Sequence, residues 1–137
     1  MKNTTLLLVF ALCLTFIGCR QIYGPVEEVK AFADEKEEVL SQMAKKLEAN
    51  PTEVGLEEAR KIFEAKKASL IAKKEAIKAA PQGKNVDWQS LLMKTESRHK
   101  EMLSAMGVKF TVACYSEQCQ NKWKELEKNF QETDFYR

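Results

Sequence analysis

The chain has little of the residue types on which most enzymes and metal proteins depend. Its 137 residues include five glycines, three prolines and a single histidine. The glycines are scattered, so no glycine-rich loop is present to cradle a phosphate, and there is no Gly-x-Ser-x-Gly. His99 is the one candidate imidazole base. We therefore expect a non-enzymatic protein without a cofactor, and an enzyme is a distant alternative.

Metal and nucleic-acid binding are also disfavoured. Glu96-Ser97-Arg98-His99 has the Glu-x-x-His spacing of di-iron bundles, but such a site needs a second motif of the same kind and further glutamates. One histidine cannot supply them, so we interpret His99 as a surface or seam residue with an incidental glutamate one turn away. Two cysteines five residues apart, with one histidine, do not provide four zinc ligands. A net charge of +2 argues against nucleic-acid binding through net charge.

The first 19 residues have the pattern of an export signal. Lys2 gives a short positive region, a largely apolar run of twelve residues follows at 6–17, and Gly18-Cys19 comes directly after it. A helix of twelve residues covers about 18 Å, well short of the ~30 Å hydrocarbon core, which favours a removable signal over a permanent span.

Phe16-Ile17-Gly18-Cys19 resembles the lipobox of bacterial lipoprotein precursors, although leucine is usual at the position of Phe16. The resemblance implies that residues 1–18 are removed and that Cys19 carries lipid, with residues 19–25 as a tether. It also implies a cell-envelope location, at the outer membrane in a Gram-negative cell because Arg20 is not the aspartate of inner-membrane retention. Free secretion without lipid and an uncleaved N-terminal anchor remain the alternatives.

Residues 26–137 are predicted to form one all-α domain, because alanine, lysine, glutamate and leucine are abundant and strand-like patterning is almost absent. Thr52 and Ser116 are candidate N-caps, and Asn85 or Asp87 can cap the third helix. Gly107 is the expected end of that helix, with an extended, packed connector over 108–113 and a fraying end over 134–137. The predicted helices cover about 26–49, 53–80, 86–106 and 117–131.

Opposite charges on the first two helices predict an antiparallel helical hairpin, extended to a small three- to four-helix bundle. Residues 27–48 hold seven acids and four bases, and residues 60–84 hold eight bases and two acids. Lys36, Lys66 and Lys73 interrupt the apolar seam, which leaves room for a partner helix or self-association. The basic residues of the second helix are either a face for an anionic partner, such as lipid headgroups or an envelope polymer, or a solvated face neutralised by the acidic helix; they are Arg60, Lys61, Lys66, Lys67, Lys73, Lys74 and Lys78.

The two cysteines at 114 and 119 are predicted to form a disulfide. Once Cys13 leaves with the signal and Cys19 carries lipid, Cys114 and Cys119 remain as a pair, and an exported chain lies where disulfides persist. The alternative is two reduced structural thiols.

Most of the aromatic residues in the second half of the chain are expected in the core, and the terminal pair Phe135-Tyr136 is expected to be the most exposed. The residues considered are Trp88, Trp123, Phe130, Phe135 and Tyr136.

Overall fold

The computed structural model of the protein describes residues 23–85 and 87–137. The predicted signal and Cys19 lie outside these residues. The described part of the chain is all-α, as predicted, and its helices are α1 (Val26–Ala49), α2 (Glu53–Ala79), α3 (Asp87–Ala113) and α4 (Glu117–Gln131).

Side-chain caps fix where α2 and α4 begin. The Thr52 hydroxyl accepts from the backbone N–H of Gly55 at 3.5 Å, and the Ser116 hydroxyl accepts from that of Cys119 at 3.2 Å. Both residues were expected to act as caps, because their oxygens satisfy N–H groups that a first helical turn leaves without a partner. At the start of α3 the side-chain oxygen of Asn85 accepts from the backbone N–H of Asp87 at 2.9 Å.

The ion pairs between helices define their directions. Glu35 of α1 pairs with both Lys66 and Lys73 of α2, while Lys46 pairs with Glu58, so these two helices are antiparallel. α1 and α3 are parallel, because Arg98–Glu37 and Lys109–Glu48 share an offset of 61 residues. α4 packs against α2 and α3, which closes a four-helix bundle. The connection between α2 and α3 lies at the end of the bundle where α1 begins, since Gly24 lies against Gln82 and Trp88.

α3 is longer than predicted, and the expected end at Gly107 was wrong. The helix continues through 108–113, which were expected to be extended, to Ala113. Gly107 is a packing position rather than a helix end, since a Cβ there would lie 2.6 Å from the indole ring of Trp123. Burial of Phe110, whose ring centroid lies 6.0 Å from that of Trp123, outweighs the small helix penalty of the neighbouring valines.

The expected fraying over 134–137 was also wrong at its first two residues. Thr133 and Asp134 are buried, and Phe135 is partly buried and packs against the core. Tyr136 is exposed, as predicted. Since α4 has only 15 residues, the segment after it covers the part of the bundle that a longer helix would otherwise fill. Trp88, Trp123 and Phe130 are core residues, as predicted.

Replacement of Gly107 by alanine tests the close contact between α3 and α4. At an open helix position this change stabilises by about 1 kcal/mol, but overpacking of a filled site costs about 1–3 kcal/mol. We expect Gly107→Ala to lower the free energy of unfolding by about 1 kcal/mol. Urea unfolding followed by tryptophan fluorescence measures it, with exposed Ser104→Ala as the control. A gain in stability at Gly107→Ala would show that the two helices do not touch there.

Candidate functional site

A lysine is fully enclosed at the centre of the bundle. Lys36 of α1 has no exposed surface, and its Nζ donates to the Glu96 carboxylate at 2.9 Å and to the Asp134 carboxylate at 2.8 Å. The rings of Phe32 and Phe130 lie with their centroids 5.4 and 5.5 Å from the same atom. An ammonium group out of water requires such partners, because burial of an isolated charge costs many kcal/mol.

The same group of charges holds the segment after α4 in place. The second carboxylate oxygen of Glu96 accepts from the backbone N–H of Phe135 at 3.2 Å. Lys74 of α2 is buried and donates to the backbone carbonyls of Glu132 at 2.7 Å and Asp134 at 3.4 Å. Two lysines and two carboxylates thus join α1, α2, α3 and the terminal segment. We call Lys36, Lys74, Glu96 and Asp134 the buried ionic cluster.

The buried ionic cluster was not predicted, although the sequence carries a signal for it. Lys36 was recognised as an interruption of the apolar seam of α1, but no partner was assigned to it. Glu96 lies at the inner position of a four-three-four series, Leu92, Glu96, His99 and Leu103, all of which are buried. Opposite charges on the inner stripes of two different helices indicate a buried pair. Asp134 gave no such signal because it follows the last helix.

His99 lies in the seam, one of the two places predicted for it. It is 1 % exposed, and neither ring nitrogen has a hydrogen-bond partner among the described residues. Burial lowers the pKa of His99 to about 4, and the nearby charges of Lys36 and Arg98 act in the same direction. The imidazole is therefore neutral at physiological pH. Its neighbour in the Glu-x-x-His motif, Glu96, pairs with Lys36 instead.

A cleft of about 570 Å³ opens beside His99, between α3, α4 and the terminal segment. The most buried lining residues are His99, Leu103 and Phe130, which form its floor. Its rim holds charged and polar groups, namely Lys100, Glu127, Gln131, Tyr136 and Arg137. The cleft has the size of a small-molecule site, and its lining combines the apolar side chains of Leu103 and Phe130 with polar and charged groups.

A second depression, which we call the apolar groove, lies between the C-terminal halves of α1 and α3. It has a volume of about 430 Å³, and most of its lining is apolar; it consists of Ala44, Leu47, Pro51, Met102, Ala105, Met106, Phe110 and Ala113, with Glu48 and Lys109 at the rim. The two rim charges pair with each other at 3.3 Å. Val108 and Val112 lie on the same stretch of α3 outside the lining of the groove, and are 61 % and 74 % exposed.

The basic residues of α2 have partners within the chain. Lys66 and Lys73 pair with Glu35 at 3.7 and 2.6 Å, and Lys67 pairs with Glu132 at 2.7 Å. Lys74 belongs to the buried ionic cluster. Arg60 and Lys78 each pair with a glutamate three residues earlier in α2. These contacts favour a neutralised face over an anionic-partner face, although Glu35 is the one acid that α1 supplies to these pairs. The anionic-partner face, which also includes Lys61, stays a prediction.

Cys114 and Cys119 are brought together, as predicted. Their sulfur atoms lie at disulfide bonding distance, and their Cα atoms are 5.9 Å apart. This link joins the end of α3 to the first turn of α4, beside the Ser116 cap. Within residues 23–85 and 87–137, no three metal-ligating side chains lie close enough to hold an ion. None of the helices described there is long and apolar enough to span a bilayer.

Comparison with known proteins gives no relative for this chain. No protein-family model, no curated protein and no solved structure matches it significantly.

Removal of the Lys36 charge is expected to leave two buried carboxylates without their ammonium partner. Loss of one member of a buried ion pair costs about 3–5 kcal/mol, so we expect Lys36→Met to lower the free energy of unfolding by that amount. The matched control is Lys73→Met, whose side chain is 39 % exposed and pairs with Glu35; it should cost about 1 kcal/mol or less. Chemical denaturation measures both. Equal losses in the two variants would contradict an essential role for the cluster.

The neutral, buried His99 predicts a loss of stability in mild acid. Because its folded pKa of about 4 lies below the ordinary 6.5, the unfolded chain takes up the proton first. The stabilisation is complete above pH 6.5 and is lost as the pH falls toward 4, by about 2 kcal/mol between pH 6.5 and 4.5. Two carboxylates change stability only at lower pH. Burial raises the pKa of Glu35, but hydrogen bonds from Lys73 and Ser69 outweigh it, and a hydrogen bond from Lys67 lowers the pKa of Glu132. Their contributions to stability are therefore lost as the pH falls below their ordinary pKa of 4.5.

Urea unfolding at a series of pH values measures this dependence. His99→Leu is the informative variant because it removes the titrating group, and its stability should change little between pH 6.5 and 4.5. The test compares how steeply the free energy of unfolding changes with pH in the variant and in the wild type. A uniform change in stability caused by the substitution therefore does not affect it. A variant as sensitive to pH in this range as the wild type would show that another group is responsible.

Proposed function

We propose that this chain is an exported helical protein anchored to a membrane by lipid on Cys19, and that it acts there as a non-enzymatic binding module. The apolar groove is the observation that carries the proposal. Contiguous apolar surface on a soluble domain often marks a protein-binding site, and two further exposed valines, Val108 and Val112, lie on the same stretch of α3.

The position of the groove relative to the anchor supports this role. The tether enters at the start of α1, whereas the groove lies at the other end of this 24-residue helix. A helix of that length spans about 36 Å, so the groove would face away from the membrane surface. A module with this arrangement presents its docking surface to other molecules of the envelope rather than to its own bilayer.

The chemistry of the groove favours an apolar helix face as its occupant. Two parallel helices form its walls, as in grooves that receive an amphipathic helix. Its rim carries one cation and one anion that already pair, which gives no net attraction for an anionic polymer. We therefore propose a helix of another envelope protein as the partner. A second copy of this chain is the competing occupant.

A site-specific photocrosslinker tests the groove in cells. We expect a crosslinker at Ala105, which lines the groove and is exposed, to give one discrete heterologous product that maps to an apolar helical segment. The matched control is Ser104, the exposed neighbour on α3 that does not line the groove. A product between two copies of this chain would overturn the choice of partner. Equal products at both positions, or none, would overturn the docking site.

The intact mass of the membrane-extracted protein tests the anchor. A mass that starts at Cys19 and includes acyl chains is expected. An unlipidated mass from a soluble fraction would support the alternative of a freely secreted interaction protein, and an uncleaved chain would support the N-terminal anchor. Alkylation of Cys114 and Cys119 only after reduction is expected in an oxidising compartment. Labelling without reduction would contradict the disulfide.

A further inference from the structure

The cleft beside the buried His99 is separate from the apolar groove, because the two share no lining residue. His99 is almost fully buried, and both ring nitrogens lack a partner among the described residues. A buried polar group without a hydrogen bond costs about 1–3 kcal/mol, so such a group in a folded protein calls for a water or a ligand. The cleft is where either would lie.

The charged side chains that line the cleft determine which net charge a bound ligand can carry. Lys100 and Arg137 line it, and among the described residues neither has a carboxylate within ion-pair distance. Arg137 donates from Nη1 to the side-chain oxygen of Gln131 at 3.2 Å, which leaves the other N–H groups of its guanidinium for a ligand. Of the two carboxylates that line the cleft, Asp134 is committed to Lys36 at 2.8 Å. Glu127 remains, so the two lining cations face one side-chain carboxylate that has no ion-pair partner among the described residues. This balance suits a single negative charge better than a doubly charged phosphate.

The donors and the floor define the rest of the ligand. A guanidinium presents paired N–H donors that match a carboxylate, and a neutral imidazole and the phenol of Tyr136 can each donate once more. Leu103 and Phe130 offer an apolar floor next to these groups. Both ring nitrogens of His99 are buried, so a ligand can reach them only if a lining side chain moves; Tyr136, which is 58 % exposed and lies beyond the end of α4, is the candidate for this movement.

We propose that this cleft binds a small amphipathic monocarboxylate, with the carboxylate between Arg137, Lys100 and the His99 ring and the apolar body over Leu103 and Phe130. The proposal does not rest on lipid attachment or on the groove, because the cleft lies between α3 and α4 and the groove between α1 and α3. Either one can fail without the other.

The single histidine makes the test specific. In the ¹⁵N-labelled protein, the imidazole resonances belong to His99 alone, so they report directly on the floor of the cleft. We expect phenylbutyrate to shift them saturably, with a dissociation constant in the millimolar range, about what a ligand of this size reaches. Phenylbutanol, the neutral match, should bind about tenfold more weakly. Acetate should bind too weakly to saturate, because it has no apolar body.

Matched lysine variants separate the cleft from general electrostatics. Lys100→Gln removes a rim charge and should weaken phenylbutyrate binding about tenfold. Lys94→Gln removes an exposed charge from the same helix outside the cleft and should leave binding unchanged. Both positions are exposed, so both variants should fold.

Three results would overturn the proposal. Imidazole resonances that do not respond to phenylbutyrate would mean that ordered water alone occupies the space beside His99. Equal binding of phenylbutanol would mean an apolar cavity without anion recognition. Equal loss of binding in both lysine variants would mean attraction to the overall surface charge rather than to this cleft.

Discussion

The enclosed ammonium group of Lys36 is the constraint on which the rest of the bundle depends. A charge without exposed surface must be matched on the spot, and Glu96 and Asp134 do so at 2.9 and 2.8 Å. Asp134 can reach this point only if the chain turns inward after α4, and Glu96 secures that turn through the backbone of Phe135. An apolar core of the same volume is often as stable as a buried ion pair, but it would not dictate this course. The cluster therefore contributes specificity: it determines which helix faces meet and where the terminal segment lies.

The cluster also sets the conditions around His99. The ammonium group and the guanidinium of Arg98 both oppose a second positive charge in the seam, and burial opposes it further, so the ring stays neutral. Both carboxylates of the cluster bind Lys36 and neither is hydrogen-bonded to the imidazole, although the charge of Asp134 acts on the His99 pKa in the opposite direction to these effects. The unpartnered ring and the adjoining cleft are thus a consequence of the same arrangement that stabilises the bundle.

Local sequence signals predicted the parts of the fold that local chemistry decides. The caps at Thr52 and Ser116 follow from side-chain oxygens next to a first helical turn, and the hairpin follows from Asn50-Pro51 between oppositely charged helices. The errors occurred where packing decides. The prediction of a helix end at Gly107 was wrong, because this glycine lies inside α3 and makes room for the indole ring of Trp123. The cleft could not be predicted, because it joins residues of α3, α4 and the terminal segment whose proximity depends on Asp134.

The two depressions differ in what they can recognise, and the difference follows from charge. The rim of the apolar groove is neutral in effect, since Lys109 and Glu48 pair across it, so recognition there rests on shape and apolar contact. In the cleft, the cations Lys100 and Arg137 have no carboxylate partner among the described residues, because the carboxylate of Asp134 pairs with Lys36 instead. A surface whose charges are satisfied within the chain suits a protein partner, whereas one with uncommitted donors beside an apolar floor suits a small ligand. The buried lysine, by drawing Asp134 inward, therefore helps to determine what the adjoining cleft can bind.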